Sequence, residues 1–377
     1  MVTHGTPPTP AMPTTEMPHP ARDEAFITEF SQRLGGLTEA ELATFFDHTL
    51  WFLRRYAAGC QLPGPIFLVL DNSLIQDFKH RSIAPARGLR ALAYTAFCRF
   101  VTGWSDRATT IVLSPMAVYE HLGRTSPGSV GEAAIALREL LDLLADTRLR
   151  CAGLGFNEPS LLLAKLKDIE ADERYLTDYV RSIDAKDWKT NLHAPLGVKI
   201  PFSIAWEKIP DSLPLRYFDS WYVKFVLSAR IEQFIVQQSR HDPKAKPISG
   251  GRLMQALADL NEFSKKGLLK GLGDIDLLQH CDVSRQYKEN PGCVLLGQTL
   301  DKGLDEVLGR RHVFHVSDGG AVGGPEGKDN VRRMVDLMFS NPFAEEDRRG
   351  KHIQSLLDAF QGPFITACQR AQAGKTA

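Results

Sequence analysis

The chain has 377 residues, with 45 Lys and Arg against 45 Asp and Glu, so no overall field draws a polyanion and any nucleic acid must be met by local basic patches. Its composition is that of a globular protein long enough for one large domain or two ordinary ones. The six cysteines, at 60, 98, 151, 281, 293 and 368, form no CxxC pair and no zinc spacing; with no signal-peptide core and no apolar run near ~20 residues, the expectation is reduced thiols, a cytoplasmic location and no membrane.

Residues 1–22 are rich in Pro and Thr and read as a disordered tail. Residues 23–62 read as N-terminal helices. One covers Asp23 to Leu34; the next starts at Thr38 with Glu41 as its capping-box partner and runs to about Ala58. The second is apolar at Leu42, Phe45, Phe46, Leu50, Leu53 and Ala57, which gives it a core-facing side. An α/β core begins in residues 63–155. Ile66 to Leu70, IFLVL, is an apolar run bounded by Pro63-Gly64-Pro65 and Asp71-Asn72-Ser73, the pattern of a parallel strand covered by helices on both faces. Arg87 to Thr102 reads as a helix and Thr109 to Leu113, TTIVL, as a second buried strand. Ser114-Pro115 opens a helix carrying Met116, Val118, Tyr119 and Glu120. Val130 to Ala145 is a further helix, and Leu149 to Ala152 a weaker third strand.

The strand pattern stops over residues 156–264. Glu158 to Ile183 and Leu213 to Gln238 read as long helices, the second densely aromatic in its first half. Ordinary α/β connections run only ~2–6 residues, so this helical insertion is expected to serve substrate or a protein partner. The α/β pattern resumes over 265–320, with a helix opening at Asp274, a strand at Cys293 to Leu296, a short helix to Leu308 and a fifth strand at Arg311 to Val316. Residues 321–377 hold the end of a Gly-rich loop and two closing helices, Val331 to Phe339 and Gly350 to Gln372.

Acidic residues recur just after the strands or on the helices that follow: Asp71, Glu120, Asp274, Asp301 and Asp318. In a parallel sheet the strands' carboxyl ends converge, and open α/β sheets place their chemistry there. Like charges brought together repel unless a cation neutralises them or protons are taken up. Carboxylates without a Cys or His cluster suit a hard divalent ion, Mg²⁺ or Mn²⁺, which can activate water for phosphodiester cleavage. The plainer alternative is that acids favour helix N-termini, where the macrodipole stabilises them.

Four segments in order carry a resemblance. DNSLI (71–75) after its strand, SPMAVYEHL (114–122), GDIDLLQHC (273–281) and VLLGQTLDKGL (294–304) resemble the successive motifs of PIN-domain nucleases. That resemblance implies a parallel five-stranded sheet with flanking helices and a metal-dependent ribonuclease, less often one that cuts DNA. By position it makes Asp71, Glu120, Asp274 and Asp301 the catalytic and metal-binding acids. Asp276 competes with Asp274; Asp274 is favoured because its spacing to Leu277, Leu278 and Cys281 fits one helix face. Asn72, Ser73 and Thr299 within the motifs, and Lys79 and Arg81 just after the first, are the substrate-binding candidates. The long insertion and the extra N-terminal helices depart from the small PIN toxins. Two rival readings stay open: a PIN-like scaffold that no longer cuts and binds RNA or a protein, and a phosphohydrolase of the haloacid dehalogenase type. The latter needs an Asp two residues beyond its nucleophile, where Ser73 stands.

Other features have plainer readings. The loop GGAVGGPEG (319–327) lacks the Gly-Lys-Ser/Thr ending of a phosphate cradle. The aromatic group Tyr217, Phe218, Trp221, Tyr222 and Phe225 could stack bases, but at helical spacing reads first as core.

Overall fold

The computed structural model describes residues 20–60, 64–105, 107–184, 201–224, 226–228, 231, 271–281, 293–309 and 346–373. Its centre is a four-stranded sheet of β1 (Ile66–Leu70), β2 (Thr109–Leu113), β3 (Arg150–Gly153) and β4 (Val294–Gln298), in the order β3-β2-β1-β4. Every pairing is parallel; Ile66 stands opposite both Thr109 and Val294, and Leu70 opposite Gln298. β1 is thus hydrogen-bonded on both sides. Four of its five residues are buried, as its unbroken apolar run requires. The chain builds outward from β1 to β3, then returns to the other side of β1 for β4. Such a reversal opens a crevice at the carboxyl ends of the two strands that flank it, here β1 and β4.

Helices cover the sheet in two groups. α1 (Pro20–Leu34), α2 (Glu39–Gly59), α4 (Pro85–Trp104) and the C-terminal α11 (Glu346–Ala373) pack on one another. Their contact is largely aromatic: Phe26, Phe30, Phe45, Phe100 and Phe360 are buried, and Phe46 stacks on Phe364 with ring centroids 4.6 Å apart. α3 (Asn72–Lys79), α5 (Pro115–His121), α6 (Val130–Leu144), α7 (Pro159–Asp184) and α9 (Leu272–Cys281) form the second group; α3 also touches α4. α8 (Pro201–Lys208) and α10 (Lys302–Gly309) complete the assigned helices. α2 begins on the reciprocal cap read from the sequence. The Thr38 amide donates to Glu41 Oε2 at 2.8 Å, and the Glu41 amide donates to Thr38 Oγ1 at 3.3 Å.

Most elements fall within a few residues of their expected spans. The aromatic helix expected from Leu213 does not start there. Its helical turn begins at Ser220, where the Asp219 carboxylate accepts the Trp221 amide at 2.8 Å. Asp172 on α7 accepts the amides of Arg216, Tyr217 and Phe218, and these bonds take the preceding segment out of helical geometry. Among the described residues of 156–264 there is no strand. The expected fifth strand, Arg311 to Val316, the helix 331–339 and the tail 1–19 lie outside the described residues. Among the described residues no helix is long and apolar enough to cross a membrane.

Arg55 of α2 pins the far side of the crevice. It donates to the Gly297 carbonyl at 2.5 Å and the Asp305 carbonyl at 2.8 Å, and ion-pairs with the Asp305 carboxylate. Both side chains are mostly buried. Removing one partner of such a pair strands the other charge. Arg55→Ala should therefore cost about 3 kcal/mol in urea unfolding, and pairing Arg55→Met with Asp305→Leu should recover part of the loss. A single variant as stable as the wild type would contradict this account.

Candidate active site

Asp71 directly follows β1, and its amide continues the sheet by donating to the Gln298 carbonyl at 3.0 Å. It is 8% exposed. Its Oδ2 accepts the hydroxyls of Ser73, in the first turn of α3, and of Thr299, at 2.9 Å, just past β4. The same Thr299 hydroxyl accepts the Asp301 amide at 3.0 Å. One hydroxyl thus fixes the acid after β1 relative to the acid after β4. Burial pushes the Asp71 carboxyl up; the two hydroxyls pull it back, and the Asp301 charge adds to the upward push.

Glu120 comes from the last turn of α5. Ser114 accepts the Ala117 amide at 3.1 Å and Pro115 fills the first helical position, so the helix start is firmly set. The Glu120 carboxylate packs on the first turn of α9. A Cβ on Gly273 would lie 2.9 Å from its Oε2, so a larger residue there would push the Glu120 carboxylate aside. Burial pushes Glu120 up to about 7. Arg124 opposes the shift, the charges of Asp71 and Asp276 add to it, and a hydrogen bond from Asn72 opposes it. Arg124 is itself held at φ 65°, an uncommon backbone state for a residue with a side chain, and pairs with Glu173 of α7 at 3.1 Å.

On α9 the structure buries Asp276, 2% exposed, and leaves Asp274 half-buried. The spacing argument for Asp274 assumed a single apolar face. α9 instead meets β4 and α10 on one side and α5 on another, and its residues Ile275 to Gln279 are all buried. Asp276 Oδ1 accepts the Tyr217 hydroxyl at 2.6 Å and Gln279 Nε2 at 3.3 Å, with His280 Nε2 also at 3.3 Å. Burial and the Asp276 charge hold the Tyr217 hydroxyl well above the usual phenol range, so it remains a donor.

Asp301 is exposed, and its Oδ1 accepts the amides of Gly303 and Leu304 at 2.9 and 3.2 Å, capping α10. Ser73 is exposed and Asn72 half-buried, both at the crevice. Lys79 and Arg81 are not brought there. Lys79 is the last residue of α3 and Arg81 lies two residues past it; both are exposed, roughly 10 Å of helix or more from the crevice. The Arg81 charge acts on Asp146, which precedes the amino end of β3. The charges of Asp71 and Asp276 both act on Glu120, and that of Asp301 acts on Asp71, so the four acids share one electrostatic neighbourhood at the crevice. All its candidate donors are oxygens, the set that suits a hard divalent ion; Glu120 is raised chiefly by its burial, with smaller contributions from the Asp71 and Asp276 charges. Among the described residues no three His, Cys, Asp or Glu side chains stand close enough together to hold a metal ion.

Sequence reasoning passed over several contributors. Tyr217 was grouped with core aromatics. Arg124, Asp172 and Trp51, whose indole donates to the Thr299 carbonyl at 3.2 Å, carry no local signal. Compared with family models, curated proteins and solved structures, the chain matches none.

The raised Glu120 has a consequence for stability. Between its ordinary value of 4.5 and about 7, the folded chain holds a proton that the unfolded chain has lost. Its contribution to stability therefore falls as pH rises through this window and levels off above it. In EDTA, Glu120→Gln should match the wild type near pH 5 and exceed it by about 2 kcal/mol near pH 8, after discounting for partial exposure. Denaturant unfolding at a series of pH values reads this. Identical profiles for the two proteins would show that Glu120 ionises normally.

Proposed function

We infer that this protein is a divalent-metal-dependent nuclease with a PIN-like site, hydrolysing RNA phosphodiesters. The observation that carries the reading is Glu120, raised to about 7 in a buried crevice by its own burial and by the charges of Asp71 and Asp276. Acids whose charges act on one another at a topological switch point become costly to ionise together unless positive charge arrives. Perturbed acids of this kind cluster at functional sites. The order of the four sequence motifs supports the PIN-like assignment, and the preference for RNA over DNA rests on that resemblance.

Asp71, Glu120, Asp276 and Asp301 are the residues that would hold Mg²⁺ or Mn²⁺, with Asp274 in reserve two residues before Asp276 on α9. A bound divalent ion supplies the charge that polarises water and steadies the departing oxygen of a phosphodiester. Thr299 and Ser73 keep Asp71 aimed by occupying one of its oxygens. The Glu120 carboxylate lies against Gly273 in the first turn of α9. Water exclusion on one side comes from α9, whose inward residues are buried.

A second reading, a scaffold that binds RNA or a protein without cutting it, is favoured by one observation: Asp301 spends a carboxylate oxygen on capping α10. One experiment separates the two. Cleavage of single-stranded and structured RNA is measured with Mg²⁺ or Mn²⁺, and with EDTA. The nuclease reading expects wild-type cleavage only with metal, and a loss of at least ~100-fold in Asp71→Asn, since losing one ligating charge should exceed the effect of losing a ligand's outer partner. Cleavage that persists in EDTA, or a fully active Asp71→Asn variant, sinks the metal mechanism. RNA binding without cleavage under either metal favours the scaffold.

A further inference from the structure

Tyr217 is a half-buried residue at the crevice that the reading above leaves without a task, and several bonds fix its position. Asp172, 1% exposed on α7, accepts three consecutive backbone amides: Arg216 at 2.9 and 3.1 Å, Tyr217 at 2.8 Å and Phe218 at 3.0 Å. A carboxylate satisfied by several backbone donors fixes the chain that supplies them. From that fixed point the Tyr217 ring packs edge-on against Phe218, with centroids 5.1 Å apart, and its hydroxyl reaches Asp276 Oδ1 at 2.6 Å. A second tie runs in parallel. Gln279 accepts the Asp219 amide at 3.1 Å and donates to the same Asp276 Oδ1 at 3.3 Å. His280 also lies at 3.3 Å from Oδ1. Among the described residues all of these contacts converge on one oxygen, so Oδ2 is left uncommitted.

We propose that Tyr217 is a positioning residue for the divalent-cation site: the helical insertion, anchored by Asp172, reaches in through its hydroxyl and holds Asp276 by Oδ1 so that Oδ2 is free to ligate. The inference rests on the reading of the crevice as a metal site. It makes the insertion a wall of that site rather than an accessory to it. Outer partners of ligating carboxylates commonly set affinity by 10–100-fold. The phenol is well suited to the task, since a rigid ring places its donor with little rotamer freedom to lose.

The test uses the full chain and Mn²⁺ alone, with free ion counted by electron paramagnetic resonance. Tyr217→Phe keeps the ring and removes only the hydroxyl. It should weaken Mn²⁺ binding roughly tenfold while leaving the metal-free melting curve within a few degrees of wild type. In an Asp276→Asn background, itself weakened, adding Tyr217→Phe should cause no further loss, because the hydroxyl acts through that carboxylate. The positioning role is overturned if Tyr217→Phe binds Mn²⁺ as wild type does, if Asp276→Asn leaves affinity unchanged, or if the two losses simply multiply. A wild type that binds no Mn²⁺ rejects the metal reading itself, and this inference with it.

Discussion

The hydroxyl of Thr299 resting on the Asp71 carboxylate is the contact on which the site depends. It joins residues 228 positions apart, one after β1 and one after β4. Without it Asp71 would be a buried acid with Ser73 as its remaining side-chain donor, and burial alone drives such a group to neutrality. With it the carboxylate keeps a fixed direction, and Asp301 is placed by the amide bond to the same oxygen. The contact exists only because β1 and β4 are neighbours. The return of the chain to the far side of β1 is thus what makes a site possible, while the helices decide how well it is held.

That holding is done from outside the sheet. Trp51 and Arg55 of α2 grip the carbonyls of Thr299, Gly297 and Asp305, so an N-terminal helix sets the loop after β4. Asp172 and Glu173 are adjacent on α7 and serve two different walls. Asp172 fixes the segment that carries Tyr217, and Glu173 accepts the Tyr119 hydroxyl at 2.9 Å and pairs with Arg124 beside Glu120. Both helical additions therefore bear on the crevice. Each supplies buried, charge-assisted bonds, which hold geometry more firmly than neutral ones.

The sheet and most helices were legible because their signals are local. IFLVL and TTIVL are unbroken apolar runs, and Thr38 with Glu41 spells a helix start within four residues. The acids after β1 and β4 were legible for the same reason: a parallel sheet fixes where its strand ends point. The choice between Asp274 and Asp276 was not. Both lie on α9, and which one faces inward depends on three neighbours, α5, α10 and β4, that no short window reveals. The late start of the helix at Ser220 is a similar case. Leu213 to Phe218 has a helix-compatible apolar pattern, yet Asp172, some 44 residues earlier, claims the amides that a helix would use. Tyr217 sits in a run of aromatics at helical spacing that reads as core; in the fold its amide donates to Asp172 and its hydroxyl to Asp276, links no local pattern announces.

Assembly of the crevice needs segments near 71, 120, 172, 217, 276 and 299 to meet. Each approach brings another carboxylate toward those already present, and the protein interior offers little screening. The protein answers part of this with hydroxyls and one guanidinium, and part by letting Glu120 take a proton near neutral pH. Under the proposed reading, a proton and a divalent cation would be alternative solutions to the same excess charge. The proton suffices for folding, because it neutralises one acid without demanding geometry. A cation demands that several acids point at one place, and the bonds from Tyr217 and Thr299, each to a single carboxylate oxygen, are of the kind that demand would select.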